Sequence, residues 1–203
     1  MSRAQPKIAP YPFTALHPLV GIIEYKDGFR VAAADIPGLI QGAHAGRGRG
    51  YEFLRHLERT KALLCIVDVA GVDGRNPLDD IRVLAQELAS YDNGELLYNR
   101  NALVVANKMD LIQKLEEREK LMIEIGLVAK EADIQVLGGP SNVLGVSAGV
   151  TGEGLAVLSK EIRYIVSHTD SERLVISTKT RRKYVYPLLL RAQCVSINDI
   201  AQR

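Results

Sequence analysis

The sequence has 203 residues, of which 47% are hydrophobic and 25% are charged, and its formal net charge is +2. This length and composition allow one ordinary domain with a buried core. The small net charge neither requires nor excludes a nucleic-acid partner, and a membrane span is excluded because no apolar stretch approaches roughly 20 residues.

The two cysteines, Cys65 and Cys194, lie far apart and form neither a metal-binding nor a redox spacing. The opening residues lack the apolar core of a signal peptide. We therefore expect a soluble protein of a reducing compartment. The cytoplasm is the expected location, with the mitochondrion or the nucleolus as alternatives.

An antiparallel hairpin is predicted near the start of the chain. Asp27-Gly28 lies between two apolar runs that together span residues 21–34. Asp-Gly in this setting is the strongest short-range hairpin signal. The second strand of the hairpin would deliver Asp35 to the edge of a sheet.

A phosphate-site signature follows the hairpin at Asp35-Ile36-Pro37-Gly38. The carboxylate can hold a hydrated cation, while backbone N–H groups freed by the turn can point at an anion. Open α/β sheets bind ligands at this carboxyl end of their strands. The glycine-rich run that comes next predicts a mobile loop, and the spacing of apolar residues predicts a helix over residues 51–60. Together these features suggest a switch segment.

Two continuous apolar runs, residues 62–69 and 102–106, are typical of parallel strands buried on both faces. Between them, apolar residues at three-four spacing predict a helix over residues 77–91, with Pro77 well placed at its start. Asp68, at the end of the first strand, is expected to position a loop.

The second of these strands ends in Asn107-Lys108-Met109-Asp110. An aspartate carboxylate can accept two hydrogen bonds side by side from the N1–H and the exocyclic amine of guanine, whereas adenine presents an acceptor and a hydrogen there. Two charge-assisted hydrogen bonds of about 1.5–3 kcal/mol each discriminate by about two or more orders of magnitude. The alternative is an ordinary strand-to-helix turn with Asp110 as a helix N-cap.

The rest of the domain is predicted to add two helices and one strand. A charged helix is expected over residues 112–132, a break at 138–140 and a short strand over 142–146. The strand leads into a loop, and an apolar stripe predicts a closing helix over residues 155–166.

Three of these stretches together resemble the Obg family of GTPases. Residues 35–60 are similar to the family's second switch without a break in spacing, and residues 107–110 to its guanine motif. Residues 147–155, SAGVTGEGL, are similar to its last guanine-contacting loop, SAxTGEGL, with one extra residue. The resemblance covers residues 10–168. It implies an α/β fold, a three-layer, Ras-like P-loop NTPase G domain with a mostly parallel sheet.

The same resemblance implies GTP or GDP and Mg²⁺ as cofactors, and a GTPase that acts in assembly of the large ribosomal subunit. The expected partners are a guanine nucleotide and the ribosome or its RNA, and the expected state is a monomer. The chain then divides into an incoming segment over residues 1–9, an incomplete G domain over residues 10–168, and a basic tail over residues 169–203.

The resemblance also implies roles for individual residues. Asp35 would bind magnesium through water. Asn107 would contact the base and brace neighbouring loops, Lys108 would lay its alkyl stem along the base plane, and Asp110 would read guanine. The backbone N–H of Ala148 would meet the base oxygen. The implied nucleotide contacts are Phe13, Thr14, Ala15, Leu16, Asp35, Ile36, Pro37, Gly38, Asn107, Lys108, Met109, Asp110, Ser147, Ala148 and Gly149.

Three departures from the family pattern bear on catalysis. Ala15 stands where the first switch, PFTTLxP, has a magnesium-ligating threonine, and a methyl group cannot ligate this cation. Thr14 would replace it only by a one-residue shift, and the alternative is an extended loop without this role. Leu39 stands where a Ras-type enzyme carries glutamine, so no catalytic residue is assigned. No glycine-rich run ending in GK[ST] occurs in the sequence, so we expect the family's first strand, P-loop and first helix to be missing and magnesium binding to be impaired.

The missing strand would be central in the sheet. Five or six buried residues of about 1.5–3 kcal/mol each amount to about 8–15 kcal/mol, against a usual domain stability of about 5–15 kcal/mol. We therefore expect a marginal fold unless another segment fills the gap, for which residues 174–178 are a candidate. The tail that holds them, residues 169–203, is expected to be disordered or loosely attached, and its basic residues suit RNA phosphates.

The sequence leaves three functions to compare. The leading one is an Obg-type GTP-binding protein, and the second is a non-catalytic truncated G domain that binds guanine nucleotide, ribosome or RNA weakly. A dinucleotide enzyme, suggested by the glycines of residues 46–50, has the wrong spacing for GxGxxG and lacks the preceding strand. Both nucleotide hypotheses require Asp35 and Asp110 to lie at the same rim of one sheet.

Overall fold

A computed structural model describes residues 19–35, 60–71, 76–91, 98–169 and 186–191 of the chain. The first switch (residues 11–18), the second switch after Asp35 and all but the last residue of the helix predicted over 51–60 lie outside these ranges. The candidate strand at residues 174–178 also lies outside them. Within the described ranges, no helix combines the length and the apolar character needed to cross a membrane.

The described residues alternate strands and helices as an α/β chain does. In order, the elements are β1 (Leu19–Glu24), β2 (Arg30–Asp35), β3 (Ala62–Asp68), α1 (Pro77–Tyr91), β4 (Ala102–Asn107), a 3₁₀ turn (Met109–Leu111), α2 (Leu115–Glu131), β5 (Val143–Val146), α3 (Leu155–His168) and β6 (Tyr186–Arg191).

The helix predicted from residue 112 begins three residues later. The 3₁₀ turn intervenes, because the N–H groups of Leu111 and Ile112 donate to the carbonyls of Lys108 and Met109, both at 3.1 Å. The strand end and α2 are therefore separated by a tight turn.

The strands form one six-stranded sheet in the order β1-β2-β6-β3-β4-β5. β1 pairs with β2 in antiparallel fashion, and every other neighbouring pair is parallel. The mostly parallel sheet predicted from the sequence is confirmed.

Helices cover both faces of this sheet because successive residues of β3 point into two separate cores. Leu63, Cys65 and Val67 pack with α1 and α2, whereas Leu64 and Ile66 pack with α3. Every residue of β3 and β4 is buried, as expected for parallel strands covered on both faces. The three-layer arrangement is confirmed.

The β1–β2 hairpin is held against α3. Gly28 adopts φ +81° in the predicted turn, a conformation that glycine takes at little steric cost. The Tyr25 hydroxyl donates a hydrogen bond of 2.6 Å to the carbonyl of Ser159, and burial raises its pKa. The Arg163 guanidinium pairs with Asp27 and lies 5.3 Å from the centroid of the Tyr25 ring. These contacts fix the hairpin to α3.

β6 occupies the centre of the sheet and comes from the tail. Its register pairs Ala33 with Leu188 on the β2 side and Leu63 with Leu189 on the β3 side. This position differs from the loosely attached tail expected from the sequence. The physical reason is that β2 and β3 do not pair with each other, so that without β6 their backbone polar groups would lack partners in the middle of the sheet.

Candidate functional site

The loops predicted to contact the nucleotide leave one edge of the sheet. Because β2, β6, β3, β4 and β5 are all parallel, their carboxyl ends lie together. The register places Asp68 opposite Asn107, Asn107 opposite Val146, and Asp35 opposite Leu190. The segments after Asp35 and after Asn107 therefore start at the same rim, as the nucleotide hypotheses require.

Asn107 connects the loops that follow β3, β4 and β5. Its side chain is buried, and its Oδ1 accepts a hydrogen bond of 3.2 Å from the N–H of Ala148. Its main-chain carbonyl accepts a further bond of 3.1 Å from the N–H of Val69. The asparagine thus braces its neighbouring loops, the part of its implied role that needs no ligand.

The main chain of Asp110 is held in place by a hydrogen bond. Its N–H donates a hydrogen bond of 2.9 Å to Oγ of Ser147, which is fully buried. No donor among the described residues pairs with its half-buried carboxylate. The residue preceding α2 is Lys114, so the alternative reading of Asp110 as the N-cap of that helix is wrong.

The loop after β5 closes on itself despite its extra residue. The Ser147 N–H donates to the carbonyl of Glu153 at 3.0 Å, and the Gly152 N–H donates to the carbonyl of Ser147 at 2.9 Å. Arg118 of α2 adds an outer brace, with Nε 2.7 Å from the carbonyl of Ile112 and a guanidinium nitrogen 3.2 Å from the Glu153 carboxylate. The loop is therefore tied to the segment that carries Asp110.

Two of the residues implied as nucleotide contacts have other partners. The Met109 side chain is buried in the core shared by α1 and α2. The Ala148 N–H, expected to meet the base oxygen, donates to Asn107, while Gly149 next to it is exposed. The implied contacts Phe13, Thr14, Ala15, Leu16, Ile36, Pro37 and Gly38 lie outside the described residues.

One interaction at this edge was missed by sequence reasoning. Asp68 and Lys108 form an ion pair with 2.5 Å between Oδ2 and Nζ. The sequence places Asp68 at a strand end but does not show its partner, because the two residues lie far apart in the chain. Lys108 itself has φ +68°, which is uncommon for a residue with a side chain.

The sequence predicts magnesium at this edge, and the structure describes the main chain of one implied ligand, Asp35. Asp35 ends β2 at the carboxyl edge, but no group of three or more His, Cys, Asp or Glu residues within 19–35, 60–71, 76–91, 98–169 and 186–191 has the spacing to hold a metal ion.

Comparison with known proteins supplies the family. Residues 1–108 match a protein family described as "50S ribosome-binding GTPase". Among curated proteins, the chain is 45% identical over 158 residues to "GTPase Obg" of Desulfitobacterium hafniense (strain DSM 10664 / DCB-2), which covers 78% of this chain and 34% of that protein. It is 43% identical over 173 residues to "GTPase Obg" of Caldanaerobacter subterraneus subsp. tengcongensis, which covers 85% of this chain and 37% of that protein.

A third relative has higher identity over a shorter stretch. "GTPase Obg" of Symbiobacterium thermophilum is 54% identical over 111 residues, which covers 55% of this chain and 26% of that protein. The chain thus spans about a third of the length of the curated relatives it matches.

Proposed function

The chain belongs to the family of 50S ribosome-binding GTPases, and from this premise we propose that it binds guanine nucleotides through an Obg-type G domain. The Asp110 carboxylate carries the proposal. It lies half-buried at the carboxyl edge, its residue is fixed by Ser147, and no donor in the described part of the chain pairs with it. An unpaired carboxylate on a fixed main chain suits a base that presents two adjacent donors.

Asp110 would select guanine over adenine. The N1–H and the exocyclic amine of guanine both donate, so each carboxylate oxygen gains a partner. Adenine offers only one hydrogen there and leaves a lone pair facing the carboxylate. With about 1.5–3 kcal/mol for each charge-assisted bond, the preference is on the order of a hundredfold or more.

Asn107 supports a second contact to the base. Because its Oδ1 is engaged by the Ala148 N–H, the amide NH₂ is the group that remains for a ligand. Guanine presents acceptors at N7 and O6, which match an NH₂ donor. The fixed direction of Oδ1 would therefore decide which end of the amide faces the nucleotide.

The proposed site has fewer groups to bind magnesium and the phosphates than to bind the base. Asp35 would hold magnesium through water, while Ala15 offers no oxygen where the family's first switch has a magnesium-ligating threonine. We therefore expect weakened magnesium binding, with slow hydrolysis at most. The proposal includes action on the large ribosomal subunit, a monomeric state and a cytoplasmic location.

A second candidate, a non-catalytic guanine-binding module, is favoured by the position of β6. This strand pairs with β2 on one side and with β3 on the other, so no further strand can enter the sheet between them. A phosphate loop could not then be delivered along that path. On this reading the chain binds the base but does not cleave the phosphate.

Both candidate functions include binding of a guanine nucleotide. Calorimetry with GDP, and with GTP and magnesium, tests this binding. We expect binding by the unmodified chain and by Asp79→Asn, an exposed control on α1. Asp110→Asn should weaken GDP by about a hundredfold and favour xanthosine diphosphate, whose second carbonyl accepts from an amide. An unchanged base preference in Asp110→Asn would refute the assignment. Phosphate release from GTP distinguishes the GTPase from the non-catalytic module.

A further inference from the structure

A buried carboxylate joins the ends of two strands at the carboxyl edge. Asp68 ends β3 and is only 8% exposed. Its Oδ1 accepts a hydrogen bond of 2.9 Å from the Ala70 N–H, and its Oδ2 lies 2.5 Å from Nζ of Lys108. One side chain therefore fixes both the turn after β3 and a residue of the loop after β4.

Lys108 needs such support because its backbone is strained. Among the described residues other than glycine, only Lys108 and Asp133 have positive φ. The left-handed conformation costs a residue with a Cβ about 1–2 kcal/mol, and it persists where surrounding contacts determine it. Asn107 is bound to Ala148 on one side and Asp110 to Ser147 on the other, and the side chain of the lysine between them is held by Asp68.

Stability alone is a poor explanation for this ion pair. Removing a carboxylate from water costs about as much as the attraction of its partner returns, so buried pairs are often no more stabilising than apolar residues. Such a pair does, however, specify where a charge and its alkyl stem lie. The Lys108 side chain is 29% exposed, so part of it reaches solvent.

We propose that Asp68 is a positioning residue for the loop after β4, residues 107–110, which would read guanine. By holding the Lys108 ammonium, it directs the alkyl stem along the edge and keeps the positive charge away from the carboxylate of Asp110, two residues further on. Without Asp68, the ammonium would neutralise the acceptor that reads guanine. This role rests on the proposed function, which is guanine-nucleotide binding at the carboxyl edge of the sheet.

Titration of a fluorescent GDP against four chains tests this role. The chains are the unmodified protein, Asp68→Asn, Lys108→Met and the double variant. We expect Asp68→Asn to weaken GDP about tenfold and to have no further effect once Lys108→Met has removed the ammonium. Glu117→Gln, which breaks the exposed Lys114–Glu117 pair, should bind like the unmodified chain. Additive losses from Asp68→Asn and Lys108→Met would overturn the proposal, since a merely structural aspartate acts independently of Lys108.

Hydrogen exchange without nucleotide separates failure of this proposal from failure of guanine binding. The Asp110 and Ala148 amides are both bonded to protein acceptors, and we expect them to exchange faster in Asp68→Asn and Lys108→Met than in Glu117→Gln. Equal exchange in all three chains would overturn the positioning role, whether or not GDP binds. If the unmodified chain does not bind GDP but these amides are released, the proposed function fails and the positioning role stands.

Discussion

Gly154 offers the sharpest test of how the loop after β5 is held. It precedes α3 with φ +77°, and a Cβ added there would lie 2.2 Å from the carbonyl oxygen of Gly145 and 3.0 Å from Cγ1 of Val146. The conformation costs a residue with a Cβ about 1–2 kcal/mol, and overpacking against a main-chain atom adds about 1–3 kcal/mol. We therefore expect Gly154→Ala to lower the free energy of unfolding by about 2–5 kcal/mol.

Gly149 in the same loop provides the matched control. A Cβ there would meet nothing within 4 Å, so Gly149→Ala should stay within about 0.5 kcal/mol of the unmodified chain. Urea denaturation followed by circular dichroism measures both variants, and similar slopes confirm that the midpoints report stability. Equal midpoints for Gly154→Ala and Gly149→Ala would show that close packing of α3 on β5 does not constrain this loop.

Two further predictions concern the hairpin and the central strand. The hydrogen bond from Arg163, helped by the Phe29 N–H, lowers the pKa of Asp27, so its stabilising contribution is present at neutral pH and is lost as the pH falls through the lowered value. The stability difference between the unmodified chain and Asp27→Asn should therefore vanish in acid, and a difference independent of pH would contradict this linkage. Leu189→Pro should cost about 3 kcal/mol or more because it removes a donor from β6. A larger loss from Ile176→Pro would mean that residues 174–178 fill the gap instead.

The parts of the fold that sequence reasoning predicted depend on neighbouring residues. Asp27-Gly28 marks the hairpin turn because the turn conformation is a property of those two residues. Pro77 marks the start of α1 for a similar reason. The motif that begins at Asn107 could be placed at a strand end because the apolar run before it is continuous.

The parts that could not be predicted depend on residues distant in the sequence. The ion pair between Asp68 and Lys108 forms because the register brings the ends of β3 and β4 together, and neither residue alone identifies the other. β6 was not identified for two local reasons. Pro187 lies inside it, and proline is normally confined to edge strands, while the basic residues just before it favour a solvated tail. β2 and β3 do not pair with each other, and β6 lies between them and pairs with both.

The position of β6 has a consequence for biosynthesis. A nascent chain makes the hairpin and the β3–β4–β5 unit long before it makes residues 186–191, and until then it carries two partial sheets with facing open edges. Such edges can pair with other chains, and closing them requires contacts of large sequence separation, which form slowly. The maturing protein should therefore depend on chaperones until β6 joins the two partial sheets.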